Sequence, residues 1–133
     1  MIVLIDTNIL ISAAYSVGST PHRAFRKAVQ SPFQALVCEQ SLVELRRTAN
    51  RKFSDRIHIF NDFIAGMLLV VKVVPVPELT YSEEEKIRDL SDRPILRTAI
   101  KEGADILLTG DKDFLESSVI SPQIMTAAAF MTI

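Results

Sequence analysis

Five short apolar runs, each separated from the next by helical segments, constrain this chain more than any other feature. Residues 2–5, 34–38, 70–76, 105–108 and 123–125 are rich in Ile, Val and Leu and short enough for strands. Between them lie segments with helical periodicity and recognisable start signals. Thr7–Tyr15 follows the first run and is broken by the small, polar SVGST at 16–20. Thr20-Pro21 reads as an N-cap with proline at the first helical position, opening a helix to about residue 30. Ser41-x-x-Glu44 reads as a capping box opening a helix over 42–52. The pattern of 54–69 places Ile57, Phe60, Ile64 and Leu68 on one face. Helices are expected over 82–90 and 93–102, the second stopped by Gly103, and Thr126 caps a last short one. Strands alternating with helices specify an α/β fold: a mostly parallel five-stranded sheet with helices on both faces.

The 133 residues form one domain, 1–133, with no repeat, low-complexity tract or linker. The net charge of -1 gives no general attraction for a polyanion, so nucleic-acid binding would need a local basic patch. A single cysteine, Cys38, excludes an intramolecular disulfide. No basic n-region precedes the apolar N-terminus, and the most apolar uncharged stretch, 63–71, is far short of a membrane span. A soluble cytoplasmic protein with no membrane partner is the expectation.

In open parallel sheets, ligands bind beyond the carboxyl ends of the strands, the rim at which the following helices begin. Four acids map to that rim. Asp6 ends the first strand, and Glu44 lies near the start of the helix after the second. Asp92 in SDRPILRTAI begins the helix before the fourth strand, and Asp111 in LLTGDKDF follows that strand. Asp113 is a possible further member. Each has a structural explanation: Glu44 completes a capping box, Asp92 is an N-cap before Arg93-Pro94, and Asp111 is a turn residue after Gly110. Asp6 fits such an account least, because a carboxylate at the end of a core strand is costly without partners. Clustered carboxylates imply either raised pKa values or a divalent cation, and oxygen-only ligands favour Mg²⁺ or Mn²⁺.

Other chemistries have weaker support. His22 and His58 stand apart among helical surface residues, and Cys38 sits in an apolar run as a small hydrophobe. No Walker-type loop or GxGxxG occurs. Arg46, Arg47, Arg51 and Lys52 read either as a solvated helix face or, following Glu44 closely, as a phosphate-binding patch to which Lys112 adds.

VLIDTNILISA, SLVELRR and DRPILRTAIKEGADILLTGDKDFL, taken in order, resemble the motif blocks of PIN-domain ribonucleases. The resemblance is nearest to the toxin-like branch paired with antitoxins (VapC-like) and extends to IMTAAAFM near the end. It implies a three-layer α/β/α sandwich and a metal-dependent ribonuclease acting through an acidic Mg²⁺ or Mn²⁺ site. By motif, Asp6, Glu44, Asp92 and Asp111 match the acidic catalytic and metal-binding quartet, with Asp113 the alternative to Asp111. Asn8 matches a polar residue supporting the first aspartate, and Thr109 one beside the last. Implied partners are a single-stranded or structured RNA substrate, an antitoxin protein and a second copy of the chain as a homodimer. Two competing readings remain: a phosphatase of the haloacid dehalogenase type, or a non-catalytic PIN-like interaction module. The former needs a second acid two residues after its nucleophile, where this sequence has Asn8.

Overall fold

The computed structural model describes residues 1–133. Its strands are β1 (Ile2–Ile5), β2 (Gln34–Cys38), β3 (Lys72–Val74), β4 (Ile106–Leu108) and β5 (Gln123–Met125). They form one sheet in the order β3-β2-β1-β4-β5, and every pairing is parallel. The expected sheet is therefore present, and it is wholly rather than mostly parallel. Alternate strand residues feed two cores. Val3, Ile5, Val37, Ile106 and Leu108 face one side. There they meet α1 (Thr7–Tyr15), α2 (Thr20–Ala28), α3 (Glu39–Lys52), α4 (Ile57–Met67) and α7 (Ala127–Phe130). Leu4, Leu36, Cys38 and Leu107 face the other side, with Ile95, Leu96 and Ala99 of α5 (Arg93–Lys101) and Phe114 of α6 (Lys112–Leu115). The result is the three-layer α/β/α sandwich.

Several local expectations are corrected. Ser19, not Thr20, caps α2, its hydroxyl accepting from His22 N at 3.3 Å. The capping box at Ser41 does not form: α3 starts at Glu39 directly from Cys38, and the Ser41 hydroxyl is buried without a partner. The strand leads into the helix with no loop, so Ser41 already lies inside the first turn. Residues 54–69 divide into a 3₁₀ turn, Ser54–Arg56, and α4, whose buried face is Phe60, Ile64 and Met67; Leu68 is exposed. The third strand shortens to Lys72–Val74. The expected helix at 82–90 is only a 3₁₀ turn, Ser82–Lys86. Its buried Glu84 is held by the Arg97 guanidinium, Nη2 to Oε1 being 2.9 Å, and Arg97 also donates to the Pro77 carbonyl. This long-range pair ties the connection before α5 to that helix. Gly103 stops α5 with φ +66°, as glycine allows, and the Thr126 hydroxyl caps α7.

Candidate active site

The strand order reverses between β1 and β4, so the crevice beyond their carboxyl ends is the topological switch point of the sheet. Asp6 stands there. Its backbone N–H continues the ladder to the Leu108 carbonyl at 2.9 Å, and its side chain is 6% exposed. Oδ1 accepts from Thr7 N at 2.8 Å, capping α1, while Oδ2 accepts from the Thr109 hydroxyl at 2.8 Å and from Asn8 Nδ2 at 3.4 Å. Asn8 Oδ1 in turn accepts from Gly110 N at 3.1 Å, and Thr109 Oγ1 accepts from Asp111 N at 3.0 Å. Asn8 and Thr109 thus tie the end of β1 to the turn after β4. Burial drives the Asp6 carboxyl up to about 6, against the bonds from Thr109 and Thr7, with the Asp111 and Glu44 charges adding to the rise.

A cleft of about 360 Å³ opens above this network, lined by Asp6, Glu44, Asp92 and Asp111 from four separate segments. Asp92 occupies the N-cap position of α5, yet its side chain makes no capping bond and its Oδ2 is buried without any partner. Its N-cap explanation therefore fails on geometry. Burial, then the adjoining Asp111 carboxyl and the charges of Asp89 and Asp6, push the Asp92 carboxyl up to about 8. Asp111 does serve the turn, as one reading expected: its Oδ1 accepts from Asp113 N at 2.9 Å and caps α6. It lines the cleft as well. Glu44, freed from any capping box, accepts from Gln40 Nε2 at 3.3 Å, and the same amide donates to the Ser91 carbonyl at 3.1 Å. Thr7 also lines the cleft, and its Oγ1 is buried with no partner.

Asp113 lies outside this cleft lining. It is bound by the Arg88 guanidinium at 2.8 Å and forms a neighbouring group with Asp89 and Asp92, their carboxylate oxygens within 4.8 Å of one another. The basic residues also divide. Arg47 and Arg51 share the cleft-facing side of α3 with Glu44 and Thr48, whereas Arg46, Lys52 and Lys112 do not line the cleft. Gln40, Thr48, Asp89 and Arg88 escaped the sequence reading. Gln40 could have been found four residues before Glu44, but only with α3 starting at Glu39.

The donor set is entirely oxygen, and Asp92, which lines the shared acidic cleft, has a buried Oδ2 with no hydrogen-bond partner. Both features suit a hard divalent cation. No helix is long and apolar enough to cross a membrane.

Comparison with known proteins agrees with this architecture. Comparison with curated protein sequences gives no match. Among solved structures, VapBC2 from Rickettsia felis, bound to a DNA fragment from its promoter, has a similar fold. The TM-score is 0.73 at 15% identity, covering 95% of this chain and 98% of that one. VapC20 of Mycobacterium tuberculosis, a Sarcin-Ricin loop cleaving toxin, gives 0.60 at 19% identity, covering 86% and 93%. The sequence pattern of the PIN domain family matches residues 2–113, and the chain belongs to that family.

Proposed function

We propose that this protein is a Mg²⁺- or Mn²⁺-dependent endoribonuclease of the cytoplasm, the toxin partner of an antitoxin protein. The observation that carries the reading is the convergence of Asp6, Glu44, Asp92 and Asp111 on one cleft at the switch point. Fold similarity to a Sarcin-Ricin loop cleaving toxin and to VapBC2 supports RNA as substrate and an antitoxin as partner. Asp6 and Asp92 are the carboxylates proposed to hold the ion. When bound, a divalent cation would neutralise the clustered acids, polarise a phosphodiester oxygen and acidify a water. Asp6 is oriented for this by the Thr7, Asn8 and Thr109 bonds, which leave it little freedom. Glu44 and Asp111, which line the same cleft, are proposed to orient the attacking water and accept its proton. The water oxygen attacks phosphorus in line, the bond to the leaving 3′-oxygen breaks, and that oxygen takes a proton from solvent. Arg47 and Arg51 hold the flanking phosphates as charge-assisted donors.

The phosphatase alternative lacks its general acid. Asn8 stands in that position and has both amide atoms engaged, with Asp6 and with Gly110. The deciding experiment is incubation of the purified protein with assorted RNAs, with and without Mg²⁺ or Mn²⁺, beside Asp6→Asn. Metal-dependent cleavage lost in the variant is the expected result. Equal cleavage by the variant, or none by the wild type on any RNA, overturns the proposal.

A further inference from the structure

A second cleft, of about 450 Å³, adjoins the acidic one through Asn8, which lines both. Its character is opposite. No ionisable side chain lines it; Pro21 and Ala128 give apolar walls, Ser12 and Thr20 give hydroxyls, and the exposed Gly110 contributes backbone. The size falls within the range of small-molecule sites. At its outer side the exposed Arg23 donates to the Thr20 hydroxyl at 3.4 Å, placing one positive charge beyond the neutral surface.

We propose that this cleft takes the nucleobase of the nucleotide adjoining the scissile phosphate, an assignment that rests on the RNA-cleaving reading of the acidic cleft. A single strand threading the acidic rim must put its bases somewhere, and unstacked bases are the part of RNA that proteins bind individually. A phosphate would be repelled by the four carboxylates unless the ion were present, whereas a neutral, flat, largely apolar base suits a neutral cleft with hydroxyls at its edge. Asn8 makes the two positions continuous. Its Oδ1 fixes the Gly110 backbone at the mouth of the neutral cleft while its Nδ2 bonds Asp6. A base seated there would therefore fix the register of the adjoining phosphate over the acids. Arg23 stands ready for a phosphate further along the strand.

The test uses Asp6→Asn protein, so that binding is read without cleavage. Two labelled probes are compared: a short oligouridine and an abasic ribose-phosphate strand of equal length. Oligouridine should bind at least tenfold more tightly. Adding Ala128→Phe or Ser12→Phe, both at exposed positions, fills the cleft and should bring that ratio close to one. A misfolded variant would instead lose both strands together, and a melting curve identifies it; the other filling variant then decides. Equal affinity of the two strands for the parent, or a ratio unchanged in the filled variants, overturns the base subsite alone. Failure of both strands to bind under any condition overturns the RNA reading with it.

Discussion

Replacing Asp6 by Asn should stabilise the metal-free protein at neutral pH and destabilise it in acid. In the fold, burial raises this carboxyl from 3.8 to about 6. Ionising it there costs about 3 kcal/mol relative to the unfolded chain, at 1.36 kcal/mol per pH unit. The folded state binds the proton more tightly, so the penalty is absent below the unfolded value. It grows as pH rises and is complete above the folded value. Asn escapes it, but only one of its side-chain atoms is an acceptor, against donors from Thr7, Asn8 and Thr109. That mismatch costs about 1 kcal/mol. At pH 8 in EDTA the variant should gain about 2 kcal/mol, or roughly 7 °C in Tm for a chain of this size. At pH 4 it should melt below wild type, with a crossover in between. Thermal melts from pH 4 to 8 in EDTA measure this directly. A difference that stays constant with pH, or a variant less stable at pH 8, refutes the argument that desolvation dominates at Asp6.

Glu44→Gln should lower RNA cleavage by about a hundredfold or more, on the scale of losing one acid–base group, while stability moves by less than about 0.5 kcal/mol. Near wild-type cleavage would remove Glu44 from the site. Mn²⁺ should raise the Tm of wild type by several degrees and that of Asp92→Asn by much less; equal shifts would place the ion elsewhere. Replacing both Arg47 and Arg51 by Ala should flatten the salt dependence of RNA binding by about one to two phosphate contacts, read with a non-cleavable RNA over a salt series. Glu84→Ala should cost about 3 kcal/mol in urea unfolding by leaving the half-buried Arg97 without its carboxylate, and a loss below about 1 kcal/mol would show the pair to be dispensable.

The parts of the fold legible in the sequence are those specified locally. Ile2–Ile5, Thr7–Tyr15 and Gln123–Met125 were readable to the residue, because apolar runs and caps there agree with the tertiary structure. The shared rim follows from topology alone, and Asp6, Glu44, Asp92 and Asp111 all line the crevice there. Local signals misled where distant partners decide. Ser41 and Glu44 have capping-box spacing, but β2 passes straight into α3 and leaves that motif inside the helix. The stretch after Tyr81 has helical residues and a capping box, yet it closes only a 3₁₀ turn, Ser82–Lys86. Asp111 lines the cleft while Asp113 is bound by Arg88, 25 residues before it, a pairing that no spacing rule links.

The placement of β4 has a consequence for synthesis of the chain. β1 takes its neighbour on one side from β2, but on the other from Ile106–Leu108, about a hundred residues later in translation. At roughly 5–20 residues per second, that edge waits about 5–20 s for its partner. During this interval the central strand of the sheet is an open, uncharged template for pairing with other chains. The acidic crevice also lacks Thr109 and Asp111 until then, so the nascent chain cannot complete its site while it is still short. Any factor that shields the β1 edge on the ribosome would govern both how much protein escapes aggregation and when it first becomes competent.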